Sequence, residues 1–482
     1  MIVKGNGQRL QEILTRQGFS VDAPCGGKGI CGKCRVQVRG DLSPLAENEM
    51  DLLTQEEISA GWRLACMCRV NGEASLEVVG GTGARILTEG GADFVQDAEG
   101  LGVAVDVGTT TIAAYLVRDG LTIDCEAAMN PQRSIGADVI ARVDYVINHE
   151  DGLRFQSAQV RRKIDDMIRV MALRQGVDPA KIRLVTLVGN PIMTHILSGI
   201  DPRTIAVAPY SPAYHEAFYA RGLVDCAPKA EYLVGGCVAG YVGSDTIAAV
   251  MAADMDRKDS VSLLLDIGTN GEIALGGRGR MLCCAAAAGP AFEGAHIKYG
   301  SRAVDGAIDR VWVEDGRLKS LVIGEGPAKS ICGSGLVDAV AALLKLELID
   351  ETGRMEEPEV ELRDGIAITQ RDIREVQLAK SAISAGIEIL MIEMGVKEAD
   401  IDRLYLAGGF GNYIDKRSAC FIGLLPEGLE DRVTSIGNAA GAGARLMLSG
   451  EARAEALRKH MEYIELSGRK GFQDLFGERM LF

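Results

Sequence analysis

The chain has 482 residues, 47% of them hydrophobic, and a formal charge of −15, enough length for three or four structural units with buried cores. That charge repels phosphate backbones and anionic lipid, which argues against nucleic acid or a membrane surface as the primary partner. No apolar run approaches the roughly 20 residues of a spanning helix and no basic-then-apolar leader opens the sequence, so a cytoplasmic protein is expected.

Residues 1–82 read as a small cysteine-bearing domain. A short helical pattern at Leu10, Ile13 and Leu14 is followed by Gly-rich turns and two expected strands, Cys34 to Val38 and Arg63 to Val70. Of the twelve cysteines, Cys25, Cys31, Cys34, Cys66 and Cys68 crowd into this stretch. The five histidines show no paired spacing that would support a zinc enzyme. Cys25-x5-Cys31-x2-Cys34 puts three thiols on a loop dense in glycine, and Cys66 or Cys68 supplies a fourth. Four thiolates hold a 2Fe-2S cluster, and glycines let the backbone wrap an inorganic core whose sulfides accept N–H bonds. The rival is a four-cysteine zinc site, which more often shows two short Cys pairs. If residues 63–70 form one strand, Cys66 and Cys68 share a face and spacing does not separate them. The remaining cysteines, Cys125, Cys226, Cys237, Cys283, Cys284, Cys332 and Cys420, read as small apolar core residues.

Residues 83–100 are polar and Gly-rich, as a linker is. From Leu101 apolar strands alternate with amphipathic helices, an α/β texture, and one phrase occurs twice. An apolar strand ends in Asp106-Val-Gly108-Thr109-Thr110, and another in Asp266-Ile-Gly268-Thr269-Asn270. The two aspartates stand about one domain apart, which predicts an internal duplication with halves 101–260 and 261–482. In such a turn Gly brings the backbone close to a phosphate, while Thr and successive amides point donors at its oxygens. Mg²⁺ keeps much of its water and takes few carboxylates, so one aspartate from each half suffices.

A further strand, Ile401 to Ala407, runs into Gly408-Gly409-Phe410-Gly411, where a flat base has bare backbone to lie against. Gly189-Asn190-Pro191 and Cys332-Gly333-Ser334-Gly335 each look like a Gly turn opening a helix. They are read as the connecting segments between the halves, with Ser334 as a helix cap. No Gly-Lys-Ser/Thr signature of a P-loop enzyme is present.

The order of these pieces resembles the actin, sugar-kinase and heat-shock-chaperone ATPases. That resemblance implies two ribonuclease-H-like lobes with ATP and Mg²⁺ in the cleft between them. It assigns Asp106, Gly108, Thr109 and Thr110 to phosphate and metal on one lobe and Asp266, Gly268, Thr269 and Asn270 on the other. Gly408, Gly409 and Gly411 fall near adenosine. Ala23-Pro24-Cys25-Gly26-Gly27, Cys31-Gly32-Lys33-Cys34 and Arg63-Leu64-Ala65-Cys66 resemble the ferredoxin-like (β-grasp) family, which implies Cys25, Cys31, Cys34 and Cys66 as cluster ligands. Only Met1-Ile2-Val3 precedes Gly5, so the sheet is expected to be trimmed at that edge. Taken over essentially the whole chain, with Asn130-Pro131-Gln132 and Ala288-Gly289-Pro290-Ala291-Phe292-Glu293-Gly294 as further matching phrases, the sequence resembles the reductive activators of corrinoid proteins in methyltransferase systems. The resemblance implies ATP-driven one-electron reduction of a corrinoid protein from Co(II) to Co(I), fed by an external low-potential electron donor. Glu293 is the acidic residue to examine beside Asp106 and Asp266, and a homodimer stays open. The alternatives are an electron donor to another low-potential enzyme and a kinase with a redox-sensing cluster.

Overall fold

The structure is a computed structural model and describes residues 1–17, 21, 23, 25, 27–77, 88, 95–136, 138–268 and 270–482. Most of the expected linker, together with Gly26 and Thr269, lies outside the described residues. Among the described residues no helix is long and apolar enough to cross a membrane.

The N-terminal unit is a sheet around the strand Arg69–Glu77, which pairs antiparallel with Ile2–Lys4 on one side and with Arg35–Leu42 on the other. The helix Leu10–Arg16 closes its core, burying Leu10, Ile13 and Leu14 against Val3, Val36, Leu64 and Val70. At the edge where trimming was expected, Ile2–Lys4 and the two-residue strand Gln8–Arg9 both pair with Arg69–Glu77. The strand expected from Arg63 to Val70 is broken. Trp62–Leu64 ends in a turn closed by Met67 N and Cys68 N, both 2.9 Å from Leu64 O, so Cys66 sits on that turn. Cys66 and Cys68 therefore do not share a strand face.

Two six-stranded sheets follow. In the first, Leu121–Met129, Thr111–Arg118, Leu101–Val107, Leu184–Val188 and Glu231–Val234 lie side by side. In the second the order is Met281–Ala286, Gly271–Gly276, Val261–Ile267, Ile401–Ala407 and Val433–Ser435. Both run through antiparallel, antiparallel, parallel and parallel pairings in the same sequence. Long helices occupy matching places, Gly152–Gln175 on the first sheet and Gln370–Met394 on the second. The repeat read from two Asp-x-Gly-Thr phrases thus extends to whole lobes.

The helices between the lobes are not the ones expected from sequence. Pro191–Ser198 packs within the first lobe and Gly333–Lys345 within the second. The inter-lobe pair is Ser244–Ala252 and Ala439–His460, whose small residues share one core with Ala104, Tyr115, Leu264 and Tyr405 from the two sheets. The helices meet so closely that a Cβ on Gly443 would stand 2.0 Å from Ala248 O. Runs of Gly and Ala serve here as a helix seam, because bulkier side chains would force the backbones apart. Ser334 is not a cap either; Cys332 occupies that position and Ser334 lies inside the helix.

Candidate functional site

The two Asp-x-Gly-Thr hairpins face each other across a cavity of about 280 Å³ between the lobes. Asp106, Gly108, Thr109 and Thr110 line it from one side, and Asp266, Gly268 and Asn270 from the other. The first turn is tight, since a Cβ on Gly108 would lie 2.7 Å from Thr111 O. Asn130 pins it by donating from Nδ2 to Gly108 O and from its backbone N to Thr110 O, both at 2.9 Å. Asn190 donates to Thr109 Oγ1 at 3.0 Å while capping its own helix through Met193 N. Glu293 comes from the second lobe and accepts from Thr110 Oγ1 at 2.9 Å, so it bridges the cleft.

Three polar groups in the cleft escaped the sequence reading. Asp245 enters from the inter-lobe helix, Glu272 pairs across the strands with Asp266, and Asn438 donates to Asp106 Oδ2 at 3.1 Å. The carboxylates raise one another's proton affinity in a poorly solvated site. Loss of water, with the charge of Asp245 added, lifts Asp106 and Asp266 to about 7. Desolvation takes Asp245 to about 6 and Glu272 well above its ordinary range. A dense set of unneutralised acids marks a place that favours a cation. Among the described residues no group of three His, Cys, Asp or Glu side chains is arranged to close on a metal ion, either in the cleft or among the cysteines.

Gly408 and Gly409 also line the cavity; a Cβ on Gly408 would stand 2.4 Å from Asp266 Oδ1, whereas Gly409 has nothing within 4 Å of a notional Cβ. They open a short helix, Gly408–Tyr413, where the sequence reading has a Gly-rich turn against which a base could lie. Gly411 faces Leu406 behind the cleft and does not line it. Phe410 stacks on Phe292 with ring centroids 4.8 Å apart, forming an apolar wall beside Gly333.

In the N-terminal unit the thiols of Cys25, Cys31, Cys34 and Cys66 form two contacting pairs. Cys34 and Cys66 lie 3.3 Å apart, and Cys25 is hydrogen-bonded to Cys31. One thiol of each pair is thereby lowered, Cys25 to about 4, and its partner raised. Backbone groups of Lys28, Ile30 and Cys31 also favour the Cys25 thiolate. Gly29 has φ +71°, and a Cβ there would meet Met67 Sδ at 2.5 Å, so the loop folds back on the Cys66 turn only with glycine. That turn is held by Glu49, which takes Arg63 Nη2 at 2.7 Å, Arg63 Nε at 2.9 Å and Leu64 N at 2.9 Å. Cys68 stands apart from the pairs: it is buried, burial pushes its thiol to about 11, and Arg63 and Glu49 are its charged neighbours. Elsewhere Cys125 is exposed, contrary to the core reading, and Cys332 is buried at the cleft wall.

Residues 2–71 match the 2Fe-2S iron-sulfur cluster binding domain. Residues 101–258 match the RACo middle region, and residues 260–482 the C-terminal ASKHA domain of RACo. The corrinoid activation enzyme RamQ of Eubacterium limosum is 32% identical over 79% of this chain and 70% of its own length. The chain belongs to the family of reductive activators of corrinoid proteins. A Co(II) methylated amine-specific corrinoid protein reductase from Methanosarcina barkeri is 27% identical over 73% of this chain and 71% of its own. A solved structure described as a reductive activator for corrinoid, iron-sulfur protein superimposes with a TM-score of 0.71 at 28% identity, covering 100% of this chain and 96% of that one. For a reductive activator the two regions described above are the expected pair, a 2Fe-2S domain at the N-terminus and an ASKHA lobe at the C-terminus.

Proposed function

We propose that this reductive activator binds Mg-ATP between its lobes and couples its hydrolysis to one-electron reduction of a corrinoid protein from Co(II) to Co(I). The observation that carries the ATP reading is the convergence of Asp106, Asp245, Asp266 and Glu272 on one cleft beside two phosphate-type turns. With a cation and phosphate present, Asp106 and Asp266 orient the hydrated ion, and Thr109 and Thr110 offer hydroxyls to phosphate oxygens. Gly409 leaves room for the base beside Phe410, and Gly408 brings the backbone against Asp266. Glu293 reaches the same turn from the opposite lobe, where it is placed to orient a water or to sense closure. Cys25 with Cys31 and Cys34 with Cys66 fit a two-iron cluster, one pair for each iron. Held there, the cluster would relay single electrons from an external low-potential donor to the corrinoid.

Coupling is energetically reasonable because about 1.4 kcal/mol shifts a one-electron couple by about 59 mV, so hydrolysis spans a substantial gap. The test is anaerobic. Protein, strong reductant and a Co(II) corrinoid protein are mixed with or without Mg-ATP, and Co(I) is followed by absorbance. ATP-dependent Co(I) that disappears in both Asp266→Ala and Cys31→Ala supports the reading. An intact cluster spectrum and real ATPase activity without Co(I), across several corrinoid proteins, overturns it.

A further inference from the structure

Among the described residues, hydrogen bonds join the cluster domain to the ATPase lobes at two places, and these are equivalent in the duplication. In each lobe the third strand runs into a one-turn helix, Pro131–Ser134 after Leu121–Met129 and Ala291–Glu293 after Met281–Ala286. On the first lobe, Gln11 donates from Nε2 to Ser134 O, while its Oε1 lies against Gly27 of the cysteine loop. The same one-turn helix is capped by Asn130, whose other bonds hold Gly108 and Thr110. On the second lobe, Lys33, between Gly32 and Cys34, donates from Nζ to Gly300 O at 2.7 Å. Gly300 is packed without slack on the end of the other one-turn helix. A Cβ on it would stand 2.3 Å from Gly294 O, and one on Gly294 would stand 2.4 Å from Ser301 N. The residue before Gly294 is Glu293, bonded to Thr110 in the cleft.

Each phosphate-side segment is therefore linked to the cysteine loop by a short run of hydrogen bonds and backbone-to-backbone packing. Such packing transmits displacement because it has two arrangements rather than a soft range. If the lobes change separation, Gln11 and Lys33 cannot both keep their acceptors while the loop stays unchanged. We infer that Gln11 and Lys33 are positioning residues that straddle the cleft and convert lobe closure on nucleotide into a change around the cluster. The inference rests on the ATP reading above and deepens it.

The experiment uses the full chain with its cluster loaded, under anaerobic conditions. Visible circular dichroism of the oxidised cluster and electron paramagnetic resonance of the reduced one are recorded as a non-hydrolysable Mg-ATP analogue is added. Analogue binding is measured by calorimetry on the same sample. The wild-type spectra change on saturation. Lys33→Met keeps the cluster absorbance and binds the analogue within about threefold of wild type, yet loses the spectral change; Lys33→Arg restores it. Gln11→Met gives the same loss from the other lobe and decides the matter if Lys33→Met fails to load a cluster. Analogue binding with unchanged wild-type spectra, or a change that survives in both variants, overturns the coupling and leaves the ATP reading intact. A wild type that binds no analogue overturns the ATP reading, and the coupling with it.

Discussion

The two lobes share a five-strand order and a long outer helix, yet between third strand and outer helix they diverge. The first lobe needs only Asn130 to Asp151, whereas the second runs from Ala287 to Thr369 and builds an extra three-stranded sheet, the helix Gly333–Lys345 and a hairpin. That longer segment carries Glu293, the Phe292 wall and the Gly300 acceptor for Lys33. The aspartates differ in the same direction. Asp106 is steadied by the Asn438 amide and faces Ala113 across its strands, while Asp266 faces the acid Glu272. Duplication has kept the frame and left chemistry unequally divided: the first lobe offers a pinned turn with Asp106, while the second pairs Asp266 with Glu272 and adds Glu293.

The comparison breaks most plainly at the aspartates. Both Asp106→Asn and Asp266→Asn should slow ATP-dependent Co(I) formation about 10³-fold, read by stopped-flow absorbance. Glu272→Gln should mainly raise the Mg²⁺ needed for half-maximal rate. If Asp106→Asn stays near wild type, the first lobe is only a scaffold.

Acid separates the lobes next. His195 in the first is buried and neutral, with Nδ1–H donating to Pro191 O at 2.6 Å and Nε2 accepting from Ala213 N at 2.9 Å. Burial lowers it to about 4, so the folded state binds fewer protons than the unfolded chain below the usual value of about 6.5. Its contribution is complete above that value and is lost as pH falls toward 4, about 3 kcal/mol in all. Urea unfolding at a series of pH values should show it, with His195→Gln flattening the slope. The second lobe's insertion depends instead on Asp338, which is buried and takes Arg310 Nε at 3.0 Å. Arg310→Ala should cost about 2 kcal/mol by removing the cation beside a carboxylate that keeps Val311 N at 3.3 Å, with hydrogen exchange rising first in residues 307–345. The smallest effect belongs to the seam the lobes share. Gly443→Ala must push apart two helices with no room for a methyl, at about 1–3 kcal/mol, visible as a lower Tm.

The sequence carried the parts of the site that are contiguous. Asp106 with its Gly-Thr-Thr, Asp266 with Gly268 and Asn270, and the Cys25–Cys34 loop are local phrases whose chemistry is set by spacing, and they come together as the repeat implied. What it hid is long-range. Asn438 meets Asp106 from the far end of the chain, and Asp245 sits on a helix with no motif around it. Glu272 stood in plain view inside the second phrase but lacked a counterpart in the first, so the repeat drew attention away from it. The connecting helices were misplaced for a physical reason: tight helix packing selects glycine and alanine, and those residues also spell a turn. The strand drawn through Cys66 failed because Ala65-Cys66-Met67 is apolar enough to read as strand, while the Glu49 carboxylate bonds Leu64 N where that strand ends.

The helix Ala439–His460 belongs in sequence to the second lobe but completes the core of the first. Thr186 Oγ1 donates to Ala444 O at 2.7 Å, Arg445 reaches Thr122 and lies over Tyr115, and Leu448 covers Gly102. Until that helix leaves the ribosome, the inner face of the first sheet has half its cover. At roughly 5–20 residues per second, the stretch from Ala252 to His460 takes on the order of 10–40 s to synthesise. For that interval a newly made first lobe carries an open apolar face, so the nascent chain, rather than the finished protein, is the form that most needs a chaperone.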